Sequence, residues 1–132
     1  MSLSDPIADA LTAIRNAIKA KKERVDLRSS FLLTEILKVM RQEKFIHDFR
    51  LIEDKKQGVL RVYLRKSNAP TRRISSIVRV SRPGLRVYAK KNEIPTVLNG
   101  LGLSIVSTPD GVLSGDEAKK RSLGGEILLK IW

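Results

Sequence analysis

The chain has 132 residues, a formal net charge of +12, no cysteine and a single histidine. These numbers exclude disulfide frameworks, cysteine-based zinc sites and thiol nucleophiles, and they leave little material for histidine-based catalysis. The positive charge predicts a polyanionic partner, and 42% hydrophobic residues are enough for one compact domain or two small ones.

Two helices are predicted in the amino-terminal part. Pro6 is typical of a first helical position, with Ser4 or Asp5 as its cap. Apolar residues then recur at helical spacing, and the opposite stripe collects polar side chains at i, i+3, i+4 and i+7, namely Thr12, Arg15, Asn16 and Lys19. A second helix is predicted after a cap at Ser29 or Ser30, and a short strand over residues 24–28 separates the two helices.

Two further strands are predicted over residues 45–52 and 59–65, joined by a turn at 54–58. In the second strand apolar residues alternate with Arg61, Tyr63 and Arg65. One face of this strand should therefore pack on the helices, while the other is exposed to solvent and positively charged. The polar stretch that follows is the best candidate for a linker. We therefore predict an N-terminal α/β domain over residues 1–66, a linker at 67–73 and a C-terminal domain over 74–132.

The C-terminal part contains seven of the eight glycines and is predicted to be mostly β with short helices. Strands are expected at 74–80 and 85–89, joined by a tight turn around Pro83-Gly84, with Arg86 and Tyr88 on one strand face. A short helical turn at 94–98, a strand at 103–108 and a turn at 108–111 follow. Ser114 with Glu117 forms a capping box that opens a short helix to Arg121, and a strand over 126–132 closes the chain. The predicted class is α+β.

Catalytic and metal-binding groups are scarce. His47 and Asp48 are neighbours on a predicted strand and point to opposite faces, which prevents a His-Asp hydrogen bond. Asp116 and Glu117 are helix-start charges that the helix dipole favours. We expect no metal, no cofactor and no enzymatic activity.

The positive charge is shared, since residues 1–66 carry 15 basic and 9 acidic side chains and residues 67–132 carry 11 and 5, which gives +6 for each half. Nucleic acid is favoured because phosphate neutralisation drives such binding. Too few aromatic residues are present to stack a long row of single-stranded bases. Tyr88, beside Arg86, is the better candidate for an aromatic RNA contact, whereas Tyr63 is equally well explained as a ring that packs over a sheet edge. Ser107-Thr108 and Gly124-Gly125 offer hydroxyl groups and bare backbone suited to the shallow minor groove of RNA, although they also read as ordinary turns.

Two other functions are weighed. A basic DNA-binding or regulatory module is the main alternative, but neither long helix presents a set of base-reading side chains after a short turn. An enzyme acting on RNA ranks third. No apolar run is long enough to cross a bilayer, so a soluble, intracellular protein without membrane contact is expected.

Ordered blocks along nearly the whole chain carry a family resemblance. They are DPIAD at 5–9, IRNA at 14–17, SRPGLRVY at 81–88, VLNGLG at 97–102, ST at 107–108, GGE at 124–126 and the terminal Trp132. In these blocks the chain resembles the small-subunit ribosomal protein family number eight, of the bacterial or organellar type.

The resemblance implies a structural constituent of the small ribosomal subunit that binds the central domain of small-subunit ribosomal RNA, organises a stem with an irregular internal loop and supports subunit assembly. It also implies contact with neighbouring ribosomal proteins, a monomer when free, repression of the protein's own operon messenger RNA, and a cytoplasmic location, with plastid ribosomes the alternative. Carried over by position, the RNA-binding residues are Arg86, Tyr88, Ser107, Thr108, Gly111, Gly124, Gly125 and Glu126, with Thr12, Arg15, Asn16 and Lys19 as further contacts.

One departure from the family pattern lies beside the expected RNA site. Pro109-Asp110 stand where the family usually has a third small hydroxyl residue and a basic or polar one. A carboxylate near phosphate should weaken that contact, while proline can stiffen the turn. Glu126 repels phosphate but can accept hydrogen bonds from base amino groups or 2′-hydroxyls, so it should affect selectivity more than affinity, unless it is bonded within the protein.

Overall fold

A computed structural model describes residues 4–65 and 71–132 of the chain. It combines helices with antiparallel sheets, which confirms the predicted α+β class. The chain divides into two compact units, one formed by Asp9–Ile74 and the other by Ser75–Trp132 together with the described residues up to Ala8. The predicted linker at 67–73 lies largely outside the described residues. The domain limits of 1–66 and 74–132 therefore stay a prediction.

The unit Asp9–Ile74 packs helices on a three-stranded sheet. Its elements are α1 (Pro6–Lys19, whose first turn belongs to the other unit), β1 (Arg24–Arg28), α2 (Phe31–Gln42), β2 (Asp48–Ile52) and β3 (Val59–Tyr63). The strands are antiparallel in the order β1-β3-β2. Leu60 and Val62 are fully buried on one face of β3, whereas Arg61 and Tyr63 point to the other and are partly exposed, as the alternation predicted.

Capping residues set the limits of both helices. The Asp5 carboxylate accepts a hydrogen bond from the Ala8 amide at 3.1 Å, and Ser30 Oγ accepts one from the Leu33 amide at 3.1 Å. Two residues beyond the end of each helix lies a lysine with positive φ, Lys21 at 57° and Lys44 at 64°. The amides after these lysines bond back into the last helical turn, which satisfies otherwise unpaired carbonyls.

The strand predicted over 45–52 begins only at Asp48. The reason is the end of α2, where the Phe45 amide bonds to the Met40 carbonyl and the positive φ of Lys44 turns the chain. Phe45 and Ile46 are buried as part of this turn rather than as strand residues.

The second unit is built on a five-stranded antiparallel sheet. Its strands are β4 (Ile77–Arg79), β5 (Tyr88–Ala89), β6 (Leu103–Thr108), β7 (Gly111–Ser114) and β8 (Gly125–Ile131), and the helix α3 (Gly115–Lys120) follows β7. The order is β4-β8-β6-β7, and β5 pairs with one end of β8. Central β8 is buried on both faces along much of its length, as its apolar sequence predicted.

A β-bulge interrupts the pairing of β6 with β8. Ile105 pairs with Leu129 but Val106 pairs with Ile127, so Leu128 is the additional residue of β8. Beyond the bulge, Val106 and Ile127 pack with Ile94 and with Ala118 of α3 in a buried cluster. The opposite face at this end of the sheet is therefore left for Ser107 and Glu126.

Three predicted elements of this unit differ from the structure. The strand expected at 74–80 is only Ile77–Arg79, and the Ser75 and Ser76 amides before it both bond to the Trp132 carbonyl. The strand expected at 85–89 is only Tyr88–Ala89, because the Val87 amide bonds to the Ser81 side chain and Leu85 closes the turn with Arg82. The helical turn expected at 94–98 is replaced by a 3-10 turn at Leu98–Gly100. Val97 has extended backbone, with φ of −98° and ψ of 123°, so the turn begins only after it.

Candidate nucleic-acid interface

The RNA-binding residues expected in the C-terminal part lie at one end of the five-stranded sheet. We name this group the loop surface: Arg86, Tyr88, Ser107, Thr108, Gly111, Gly124, Gly125 and Glu126. Ser107 of β6 pairs with Glu126 of β8, and Glu126 pairs with Tyr88 of β5. Residues directly opposite one another in antiparallel strands point to the same face, so these three side chains form a row across the sheet.

Glu126 holds this row together through hydrogen bonds within the protein. Its Oε2 accepts from Ser81 Oγ at 2.5 Å and from Arg86 Nη1 at 3.0 Å, and Ser81 Oγ in turn accepts from the Val87 amide at 3.1 Å. Oε2 is the acceptor of both hydrogen bonds that described side chains donate to Glu126. The carboxylate thereby fixes Arg86, while Oε1 is the oxygen left to accept from a ligand.

Ser81 is a member of the site that sequence reasoning missed. Its side chain is completely buried, and it bridges Glu126 to a backbone amide six residues ahead of it. The only sequence signal is its place at the start of the SRPGLRVY block. Its bond to a residue 45 positions away depends on strand pairing and cannot be found locally.

The two hydroxyl residues of the loop surface differ in their surroundings. Thr108 is 9% exposed, and its hydroxyl donates to the Gly111 carbonyl at 2.7 Å and accepts from the Asp110 amide at 3.2 Å. Its proton is therefore used inside the turn. Ser107 is partly exposed on the same face as Glu126, which makes it the hydroxyl available to a ligand.

Close backbone packing explains the two glycines before Glu126. A Cβ atom on Gly125 would lie 2.0 Å from the Ser107 carbonyl oxygen, and one on Gly124 would lie 2.5 Å from the Ala89 carbonyl oxygen. Real Cβ atoms do not approach backbone so closely, so only glycine lets β8 enter between its neighbours here. Gly111 serves the turn instead, with φ of 111°.

Tyr88 and Arg86 complete the loop surface. The Tyr88 side chain is 69% exposed, and the Arg86 side chain is 47% exposed despite its bond to Glu126. An exposed aromatic ring beside a fixed guanidinium can stack on a base or ribose while the cation meets a phosphate.

The polar stripe on α1 is formed as predicted. Thr12, Arg15, Asn16 and Lys19 are all exposed, and Arg15 Nη1 lies 3.5 Å from Thr12 Oγ1. These residues belong to the unit Asp9–Ile74, whereas the loop surface belongs to the other unit.

A concave surface in the unit Asp9–Ile74 also collects charge. It encloses about 790 Å³ and is lined by Lys22, Glu23, Arg24, His47, Asp48, Arg50, Tyr63 and Arg65. Burial alone would raise the pKa of Asp48, but hydrogen bonds from the Phe49 amide and the Arg41 guanidinium outweigh it and lower that pKa. Sequence reasoning singled out His47 and Tyr63 without placing them together.

The described parts of the chain contain no group of three His, Asp or Glu residues placed to hold a metal ion. Within the same ranges, no helix has the length and apolar character to span a membrane.

Comparison with known proteins agrees with the resemblance predicted from the sequence. A family model described as ribosomal protein S8 matches residues 5–132. The chain is 52% identical, over all of both chains, to the small ribosomal subunit protein uS8 of Oceanobacillus iheyensis. Over the same full length it is 47% identical to the protein of that name from Staphylococcus epidermidis and 46% identical to that from Staphylococcus carnosus. These matches confirm the predicted resemblance.

Proposed function

The chain belongs to the ribosomal protein S8 family, and from this premise we propose that it is a structural constituent of the small ribosomal subunit that binds the RNA of that subunit directly. The RNA is the central domain of the small-subunit ribosomal RNA, at a stem with an irregular internal loop. Binding supports subunit assembly beside neighbouring ribosomal proteins. The role is structural rather than enzymatic, and the bacterial relatives support a cytoplasmic ribosome.

The row of Ser107, Glu126 and Tyr88 across three strands is the observation that carries this proposal. It presents a hydroxyl, a carboxylate acceptor and an exposed ring on one face. An irregular RNA minor groove displays 2′-hydroxyls and base edges across a shallow surface, and such a row can meet both. Glu126 is held by Ser81 and Arg86, so it is oriented before RNA arrives.

Phosphate contacts come from cations outside this row. Arg86 lies beside it, and Arg15 and Lys19 of the α1 stripe are exposed on the other unit. Phosphate contacts fix position without reading sequence, so the cations supply affinity and the row supplies selectivity. A messenger RNA stem of the same shape would bind the same row, and repression of the protein's own operon is part of the proposal.

The proposal is tested by equilibrium binding of the monomeric chain to a transcribed central-domain stem, in physiological salt with magnesium and excess transfer RNA. Ser107→Ala should weaken stem binding about threefold to tenfold, the value of one hydrogen bond. Tyr88→Ala should weaken it tenfold or more, roughly the value of one stacked base. Both variants should keep the weak binding to transfer RNA.

Ser75→Ala is the matched control, since Ser75 is an exposed serine of the same unit that lies outside the loop surface. It should bind the stem like the unaltered chain. If Ser107→Ala and Tyr88→Ala also bind the stem like the unaltered chain, the loop surface is not the reading site. If excess transfer RNA abolishes binding to the stem, the alternative of a basic regulatory module is favoured instead.

A further inference from the structure

Ser81 is buried behind the row of Ser107, Glu126 and Tyr88, in the segment that follows β4. Its side chain has no exposed surface, so it is not itself available to a bound RNA. Its hydroxyl nevertheless reaches the row, because it donates to Glu126 Oε2 at 2.5 Å and accepts from the Val87 amide at 3.1 Å. One buried hydroxyl therefore connects β8 to the residue that precedes β5.

The backbone around Ser81 is attached to β8 without help from this hydroxyl. The Ser81 amide donates to the Ile127 carbonyl at 3.0 Å, and the Val80 amide donates to the Leu128 carbonyl at 3.0 Å. These bonds place the hydroxyl beside the Glu126 carboxylate. They also mean that Ser81→Ala removes the side-chain contacts while the pairing with β8 stays in place.

Arg86, the other side chain that donates to Glu126 Oε2, is held less firmly. Its side chain is 47% exposed, whereas that of Glu126 is 18% exposed. A half-exposed ion pair contributes little free energy, and RNA phosphates compete for an arginine guanidinium. An arriving phosphate can therefore take Arg86 away from the carboxylate, but it cannot reach the buried Ser81 hydroxyl.

We propose that Ser81 is a positioning residue for RNA recognition. It holds the Glu126 carboxylate with Oε2 toward the protein and Oε1 toward the ligand, also when Arg86 exchanges its bond to Glu126 for a phosphate. A carboxylate fixed in this way accepts from base amino groups and 2′-hydroxyls and repels phosphate, so Ser81 contributes to selectivity rather than to general affinity for RNA. The inference rests on the proposed function, because it requires that the loop surface reads the stem.

The first test compares Ser81→Ala with Ser104→Ala in the full-length chain. Ser104 is a matched control, since it is a buried serine of the same sheet whose hydroxyl bonds to the Pro95 carbonyl, outside the loop surface. Ser81→Ala should weaken binding to the transcribed central-domain stem about threefold to tenfold. Its binding to transfer RNA and its dependence of log K on log salt should not change, because no phosphate contact is lost. Ser104→Ala should bind both RNAs like the unaltered chain.

A double-mutant cycle with Glu126→Ala separates positioning from a general effect on the fold. Glu126→Ala should weaken stem binding at least as much as Ser81→Ala does. When Glu126 is already alanine, adding Ser81→Ala should weaken stem binding by less than about twofold further, because the two residues act as a unit.

Arg86→Gln tests the same idea without altering Ser81. It should weaken binding to the stem and to transfer RNA by similar factors, and make the dependence of log K on log salt shallower by about 1. The ratio of the two affinities should therefore stay within about threefold of that of the unaltered chain, since Ser81 still orients Glu126.

Three results would overturn the inference while leaving the proposed function intact, provided that Glu126→Ala weakens stem binding. They are stem binding by Ser81→Ala equal to that of Ser104→Ala, a full further loss from Ser81→Ala in the Glu126→Ala background, and a loss of selectivity in Arg86→Gln as large as that in Glu126→Ala. Normal stem binding by Glu126→Ala would overturn the inference and count against the proposed function as well.

Discussion

Ser107 and Thr108 are adjacent hydroxyl residues whose side chains serve different purposes. The Thr108 hydroxyl makes two hydrogen bonds inside the turn before β7, to the Gly111 carbonyl and from the Asp110 amide. Ser107 lies on the opposite side of β6, in the row with Glu126. At the scale of single residues, one hydroxyl therefore holds the turn and the other is offered to a ligand.

Thr108→Val should reduce the free energy of unfolding by about 1–2 kcal/mol, because the Gly111 carbonyl and the Asp110 amide lose their partner. Ser107→Ala should change that free energy by less than about 0.5 kcal/mol, since its side chain is not buried. Urea unfolding of the two variants measures both values. Equal losses would contradict this division between the two hydroxyl residues.

The exposed face of the three-stranded sheet is organised by cross-strand pairs. Asp26 of β1 lies opposite Arg61 of β3, which lies opposite Arg50 of β2. The hydrogen bond from the Arg61 guanidinium, helped by its charge and that of Arg24, lowers the pKa of the Asp26 carboxyl, although burial opposes the shift. Arg61 is thereby held in an ion pair, whereas Arg24 and Arg50 act on Asp26 and Asp48 through charge attraction without an ion pair among the described residues.

The lowered pKa of Asp26 links the stability of the sheet to pH. A carboxyl whose pKa is lower in the folded chain than in the unfolded chain stabilises the fold above the unfolded-state pKa, and this contribution is lost as pH falls through the folded-state pKa. Asp26→Asn should therefore be slightly less stable than the unaltered chain at pH 7 and equal to it in strong acid.

Urea midpoints for Asp26→Asn at the two pH values measure this effect. The control is Glu53→Gln, which alters an exposed acid outside the described ion pairs and should show no such convergence. A stability difference for Asp26→Asn that persists unchanged in strong acid would rule out the charge as its source.

One ion pair joins parts of the chain that are far apart in sequence. Arg79 of β4 is buried, and its Nε donates to Asp5 Oδ2 at 3.3 Å across 74 residues, while its Nη1 donates to the Leu128 carbonyl at 2.8 Å. The other Asp5 oxygen, Oδ1, caps α1 through the Ala8 amide. At the scale of the whole molecule, this carboxylate attaches the start of the chain to the five-stranded sheet.

Asp5→Asn separates the two roles of this carboxylate, because asparagine caps helices as well as aspartate but carries no charge. Leaving Arg79 buried without its anion should lower the free energy of unfolding by about 2–3 kcal/mol. Asp9→Asn, which changes an exposed acid of the same helix, should cost less than about 0.5 kcal/mol. Thermal or urea unfolding compares them, and similar losses would mean that the Arg79 pair contributes little.

The class of fold, most elements and the family could be predicted from the amino-acid sequence. Alternation in β3, the Ser30 and Ser114 caps and the apolar run of β8 are local patterns, and local patterns reflect the burial and hydrogen bonding of near neighbours. The positive charge likewise predicted a polyanionic partner, since charge is a property of composition.

Which side chains share a surface could not be predicted in this way, because it depends on how distant strands pair. The row of Ser107, Glu126 and Tyr88 and the buried bridge through Ser81 depend on strand pairing between distant segments. The same holds for the charged residues that line the concave surface of the three-stranded sheet. The strands predicted over 45–52 and 85–89 are also shorter in the structure than predicted. The Phe45 amide bonds to the Met40 carbonyl and the Val87 amide bonds to the Ser81 side chain, so neither amide joins a strand ladder. Pairing between strands is set by the packing of the whole sheet, which no short window of sequence contains.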